Sequence, residues 1–303
     1  MRADSRARAD TRVIVDAHHH FLDPTRFAYP WIGAREGALA RVFGPGDLAP
    51  LLASAGVSSS VLVQTLHDPE ETRSMLAAAA VYPWIAGVVG WVDLQRDDVA
   101  DQIARVRALP GGDRLAGIRH LVHDEPDPDW LLRPAVLRSL EVVGREGLAV
   151  DLLLRSRELP AAIACARELG GVRLVVDHLA KPVVRLGPAA PVNAAWLADL
   201  RAMAELPHVV CKLSGLVTEA EWKGWTVDEL RPFAEHALSC FGPDRVLFGS
   251  DWPVCTLAAP YQEVIDAAHA LIADCSPRER EAMLATNARD LYGLNLDGRE
   301  RMP

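Results

Sequence analysis

Asp16-Ala17-His18-His19-His20 gathers a carboxylate and three imidazoles directly after the apolar run Val13-Ile14-Val15. On an extended strand, residues i and i+2 share a face. His18 and His20 therefore point the same way and can share one ligand, a divalent metal ion or a substrate oxygen. His19 lies between them and faces the opposite side. Three later stretches end apolar runs in the same manner: Gly117-Ile118-Arg119-His120, Val176-Asp177-His178-Leu179-Ala180-Lys181-Pro182 and Leu247-Phe248-Gly249-Ser250-Asp251-Trp252-Pro253. An aspartate after a buried strand must be paired, ligated or solvated. For Asp251 the bland role is a helix N-cap, which Pro253 and the distance to the next helix weaken. A lone histidine at the place of His178 is more often hydrogen-bonded in a core. In the company of His18, His20 and Asp251 it reads as part of a site.

The elements that must position these groups alternate strictly. Short β-branched runs over 13–16, 60–64, 85–91, 116–119, 148–153, 172–177, 209–213 and 246–248 read as strands. Amphipathic stretches over 47–55, 69–80, 97–109, 134–146, 159–169, 194–205, 227–240 and 261–272 read as helices, and a last helix over 277–285 closes the chain. Strands that are short, apolar and bounded by turn residues are those buried on both faces. Eight strand–helix units in series predict a parallel sheet closed into a single (β/α)8 TIM barrel spanning 13–303. A doubly wound open sheet is the alternative, and the Gly-rich phosphate turn it would carry after an early strand is missing. In a barrel, catalytic groups sit at the C-terminal ends of the strands, which is where the polar stretches fall. The long first loop, 21–46, carries Tyr29, Trp31 and Phe43 and is expected to pack over the mouth.

Composition removes several function classes. The 303 residues carry 32 Lys and Arg against 41 Asp and Glu, a net charge of −9, so no basic face for nucleic acid is expected. No apolar run approaches the ~20 residues of a membrane span. Residues 1–12 mix Arg and Asp without an apolar stretch, and read as a frayed tail rather than a secretory signal. The five cysteines are scattered and form no Cys-x-x-Cys pair, which fits a reducing cytoplasm and argues against a thiolate zinc site. The positive charge is nearly all arginine; the lysines are Lys181, Lys212 and Lys223. Lys181 follows His178 in a loop over the site, whereas Lys212 either faces the site or turns outward to pair with an acid. Trp31, Trp84, Trp91 and Trp252 each read singly as packing, but could offer flat apolar faces to a ligand ring, and Trp252, next to Asp251, is the one expected beside it. The loop with His123, Asp124, Glu125 and Asp127 either meets ligand hydroxyls or is solvated, and solvation is the plainer reading. Whether identical subunits assemble is left open.

Taken together, Asp-Ala-His-His-His-Phe, Gly-Ile-Arg-His, Val-Asp-His-Leu-Ala-Lys-Pro, Cys-Lys-Leu-Ser-Gly-Leu and Leu-Phe-Gly-Ser-Asp-Trp-Pro resemble the amidohydrolase superfamily. More narrowly they resemble its sugar-lactone hydrolases, such as L-fuconolactonases and L-rhamnonolactonases. The resemblance runs from about Val13 to Leu294. It implies a distorted metal-dependent-hydrolase barrel in which His18, His20 and Asp251 hold a single ion, zinc first, or none. The lysine or histidine that completes a two-metal site on the fourth or fifth strand is absent here: those strands offer Arg119, His120 and Arg155. The implied reaction opens a sugar lactone to its acid, with Asp251 and His178 catalytic and Arg119, His120, Lys181, Trp252 and Trp31 on the substrate. The rivals are a metal-dependent decarboxylase of an aromatic acid, and a barrel that only binds carbohydrate.

Overall fold

Valine, isoleucine and leucine crowd the strands because a strand covered on both faces has no solvent side for polar residues. The structure, a computed structural model, describes residues 13–296. The tail expected at 1–12 lies outside the described residues, as do 297–303. The strands are β1 (Val15–His19), β2 (Ser59–Val63), β3 (Ile85–Gly90), β4 (Leu115–His120), β5 (Ala149–Leu152), β6 (Leu174–Val176), β7 (Val209–Leu213) and β8 (Val246–Phe248). They pair in parallel and in sequence order. Around them lie α1 (Pro45–Ser54), α2 (Pro69–Val81), α3 (Val99–Arg107), α4 (Pro134–Arg145), α5 (Leu159–Glu168), α6 (Pro191–Ala204), the short α7 (Leu216–Glu219), α8 (Val227–Phe241), α9 (Tyr261–Leu271), α10 (Pro277–Glu281) and α11 (Asn287–Tyr292). This is the (β/α)8 barrel. A doubly wound sheet would reverse its strand order at a switch point.

Two boundaries differ from the sequence reading in ways that matter. The first strand runs on through His19, because His19 still pairs with Leu62 of β2. The last helix is not one piece over 277–285. A π-helical turn, Ala282–Thr286, separates α10 from α11. The segment that follows reaches the barrel interior, where Ala285, Ala288, Leu291, Tyr292 and Leu294 pack on Val15, Ala17, Val61, Ala116, Ala149 and Leu247. The small residues on those strands make the room. A Cβ on Gly87 of β3 would sit 2.8 Å from Leu294.

A bulge in β1 sets the direction of the histidines. Between the pairs Asp16–Ser60 and His19–Leu62, β1 spends one residue more than β2. Val15 and Ala17 therefore face the barrel interior, and His18 and His20 face it again beyond the extra residue, while Asp16 and His19 face outward. Bulges of this kind re-aim side chains beside active sites. His19 bonds Ser60 on the outer side (Nε2 to Oγ, 2.8 Å).

Asp16 joins the first strand to the last. Its carboxylate accepts from Ser250 N (2.8 Å), His18 N (3.2 Å) and the Tyr261 hydroxyl (3.0 Å). Just beyond it the seam is completed by Asp251 N to His18 O (2.8 Å) and His20 N to Trp252 O (2.6 Å). Burial raises the Asp16 pKa to about 6, against the pull of those hydrogen bonds. The folded protein thus holds a proton there that the unfolded chain has already lost, so stability from this group is full below pH 4 and falls as pH rises through 6. The gap of about two pH units is worth about 3 kcal/mol. Urea denaturation of the wild type and Asp16→Asn at pH 4 and pH 7 should show the wild type losing ground to the variant at the higher pH by up to that amount. Parallel pH profiles would mean Asp16 ionises freely.

Candidate active site

Three imidazoles converge on one carboxylate oxygen at the mouth of the barrel. Oδ1 of Asp251 lies 3.2 Å from His20 Nε2, 3.7 Å from His178 Nε2 and 3.9 Å from His18 Nε2. All four residues are buried, none more than 4 % exposed. Asp251 reaches this place from a left-handed backbone conformation (φ 59°) just past β8. His178 reaches it from an unusual turn after β6, in which His178, Leu179, Ala180 and Lys181 all have φ between 50° and 56°. One left-handed turn brings His178 and Lys181 round to the same side, toward the cleft. Leu179 and Ala180, fully buried, face the core, and Trp196 of α6 donates to Leu179 O (2.6 Å).

Each ring is fixed from behind. His20 Nδ1 donates to Val63 O (2.8 Å), which leaves its Nε2 as a lone pair in the neutral ring. His178 Nδ1 bonds the Ser214 hydroxyl (2.8 Å). His18 sits between two cations: Lys212 Nζ is 3.1 Å from its Nδ1 and Arg119 Nη1 is 3.3 Å from its Nε2. Asp177 Oδ1 also lies 3.3 Å from His18 Nδ1. Arg119 in turn donates to Asp177 Oδ2 (3.0 Å) and to Gln64 O.

The electrostatics keep His18 and His178 neutral and the aspartate charged. Burial, reinforced by Lys212, holds His18 well below the ordinary imidazole range. Burial brings His178 to about 4 despite Asp251 and Asp177 nearby. For Asp251 burial pushes upward, but His178, His20 and Lys181 outweigh it and hold the carboxyl below its usual value. Lys181 is lowered by burial, partly countered by Glu219 and Asp251.

The donor set fits one divalent ion. With Nδ1 of His20 committed to a carbonyl, its Nε2 and Asp251 Oδ1 face each other at 3.2 Å as two acceptors, an arrangement that wants a proton or a cation between them. His18, His178 and Asp251 offer ligand atoms within 4.8 Å of one another, and His20 adds a fourth donor of the kind zinc prefers. His67, His120 and Glu125 are grouped as closely but do not fit an ion. The His67 and His120 rings stack in parallel, 3.8 Å apart, so their lone pairs cannot converge.

The cleft above the four residues encloses about 350 Å³. The structure brings His20, His178, Asp251, Arg119, Lys181 and Trp31 to its wall, with His18 beneath. It does not bring two of the residues expected at substrate. Trp252 is 2 % exposed and packs edge-on against Phe43 and Phe21, because the positive φ of Asp251 turns the next side chain into the core. His120 points away from the cleft, stacked on Trp130 at 4.0 Å and bonded to Glu125. Trp91 stacks on His67 in the same pile.

Other residues had weaker signals in the sequence or none. His123 and Asp124, expected in a solvated loop, line the cleft, as do Arg35, Glu36, Arg155, Arg185, Glu219 and Trp222. Arg35 lies over the Trp222 ring at 3.9 Å. Lys212, Asp151 and Tyr292 form the buried floor: Lys212 Nζ contacts Asp151 and Asp177, and the Tyr292 hydroxyl donates to Asp151 (2.9 Å). Lysine is scarce in this arginine-rich chain, and that scarcity was the one signal that pointed to Lys212.

A parallel barrel whose imidazoles and aspartate meet at the strand ends is the architecture of barrel hydrolases. The Amidohydrolase family model matches residues 15–294, and the chain belongs to that family. An L-fucono-1,5-lactonase of Burkholderia multivorans is 39% identical over 288 residues, covering 92% of this chain and 96% of the relative. Two crystal structures of an amidohydrolase from Burkholderia multivorans are similar throughout. One, with bound HEPES, has a TM-score of 0.88 and 37% identity, and the other, with bound zinc, has a TM-score of 0.86 and 38% identity. Each covers 93% of this chain and 100% of the other.

The packing behind His178 is tight enough to test. Gly215, at φ 65°, lies so close that an added Cβ would stand 2.7 Å from His178 Nδ1 and 2.8 Å from its Cγ. Gly215→Ala should push the ring out of place and cost roughly 100-fold in kcat while the circular dichroism spectrum stays native. A folded variant with unchanged turnover would mean that the position of His178 does not matter.

Proposed function

We propose that the protein opens a sugar lactone to the corresponding aldonic acid, with Asp251 as the general base. The observation that carries this reading is the ionised, buried Asp251 set among three imidazoles at the floor of a ring-sized cleft. The substrate class is supported by the extended likeness to sugar lactonases.

In this reading water attacks the lactone carbonyl and Asp251 takes its proton. The tetrahedral intermediate collapses with cleavage of the ring C–O bond, and Asp251 returns the proton to the departing alkoxide. Lys181, with Arg119 beneath it, supplies positive charge where the oxyanion develops. His178 and His20 flank the Asp251 carboxylate, their rings fixed from behind by Ser214 and the Val63 carbonyl. His18, His20, His178 and Asp251 would hold a zinc ion, which supplies carbonyl polarisation and a more acidic water when bound. Trp31 gives the sugar ring a flat apolar wall, and His123 and Asp124 lie within the same cleft to meet hydroxyls.

A pH-indicator assay over aldonolactones, beginning with L-fucono-1,5-lactone, tests the reading. Asp251→Asn should lose about 1,000-fold in kcat/KM, within the usual range for a general base. An unchanged rate would sink the mechanism, and a panel without turnover would sink the substrate class. Because Asp251 lies below its ordinary value and His178 near 4, the wild-type acid limb should fall below about pH 5. A midpoint above pH 6 would assign the base to another group.

A further inference from the structure

His18 Nδ1, Asp151 and Asp177 form a second group of three donors, all buried and with ligand atoms within 4.8 Å of one another. That spacing would suit a divalent cation. The place is filled by the side chain of Lys212, which is itself fully buried. Its Nζ lies 2.5 Å from Asp151 Oδ2, 3.0 Å from Asp177 Oδ1 and 3.1 Å from His18 Nδ1. An ammonium has three N–H donors and no acceptor, and here it donates to Asp151, pairs with the charge of Asp177 and lies against the His18 ring. The cage draws on four strands: His18 from β1, Asp151 from β5, Asp177 at the end of β6 and Lys212 from β7. Tyr292 of α11 steadies it from below by donating to Asp151.

We infer that Lys212 is a positioning residue: its ammonium is the resident cation of this cage, holds His18 in register for the site above, and occupies the place that a divalent ion would otherwise take. The charges agree in direction. Arg119 and Lys212 balance Asp151 and Asp177, so a divalent ion added beside Lys212 would leave two excess positive charges in a buried place, whereas an ion replacing it leaves one and finds two carboxylates beside the His18 ring. The upper group around Asp251 is then the place for one ion, and the lower group opens to another when Lys212 is shortened. This concerns the floor of the site and holds whatever the substrate, so failure of the lactone reading leaves it standing.

Two measurements test it. Lys212→Ala, titrated with Co2+ and counted by native mass spectrometry, should bind one equivalent more than the wild type, and Asp151→Asn/Lys212→Ala should lose that equivalent. An equal count in wild type and Lys212→Ala overturns the inference. The second measurement uses the native cage and decides the matter if the alanine variant does not fold. With 15N-labelled lysine, Lys181→Arg/Lys223→Arg leaves Lys212 as the labelled residue. At pH 7 its Nζ should give a slowly exchanging NH3+ signal with nuclear Overhauser contacts to the His18 ring. A fast-exchanging signal, or one without contact to His18, overturns it.

Discussion

Two carboxylates and two cations with almost no access to water lie between the barrel core and its mouth, and the site rests on their balance. Asp151, Asp177 and Lys212 are fully buried and Arg119 is 2 % exposed. A charge in such a place costs several kcal/mol even after relaxation, and only a well-bonded partner offsets it. Here the partners are shared. Lys212 meets both carboxylates, and Arg119 meets Asp177. Burial alone would raise the Asp177 carboxyl, yet Lys212, His18 and Arg119 hold it well below its usual value. Because Asp177, Lys212 and Arg119 all touch His18, the position of that ring is set from β4, β6 and β7 at once rather than by its own strand.

Backbone strain is the second constraint. Left-handed conformations cost non-glycine residues roughly 1–2 kcal/mol each, and the chain adopts them at four residues in a row after β6 and again at Asp251. Strain persists where packing over-determines the conformation. Leu179 and Ala180, locked in the core, supply that packing for the turn, and the seam bond from Asp251 N to His18 O supplies it at the other end. The return is placement: His178, Lys181 and Asp251 reach one point from two different strands.

The barrel was legible because its signals are local. Eight β-branched runs, spaced by amphipathic stretches, say as much as the structure does about the architecture. The i, i+2 rule brought His18 and His20 to one side and sent His19 to the other, although the bulge that lets β1 present Ala17 and then His18 inward has no sequence mark. Trp252 shows where adjacency misleads. Standing next to Asp251, it looked like a substrate wall, but a positive φ between them turned it into the core. Lys212, Asp151 and Tyr292 meet across 61 and 141 residues of chain. No spacing rule joins them, since closure of the barrel and insertion of α11 create the contact. His123 was legible in the sequence only as two alternatives, because a polar loop looks the same whether it faces water or bends over a cleft.

A lactone is an activated ester, and the site is economical in the way such a substrate allows. The floor is a rigid, charge-balanced layer that a substrate does not have to reorganise, so its field acts on the carbonyl without delay. The rim is different in kind. It is built from loops, where Arg35, Arg155, Arg185 and Lys181 mingle with Glu36, Asp124 and Glu219. Loops can vary without disturbing a scaffold, so the proposed mechanism assigns selectivity among lactones to the rim and reactivity to the floor. The mixed charge also bears on turnover. Hydrolysis turns a neutral ring into an anion, and a purely cationic rim would retain it. Glu219 lies 4.0 Å from the Lys181 ammonium, and in the proposed mechanism it would compete for that charge and so weaken the hold on the product as the carboxylate forms.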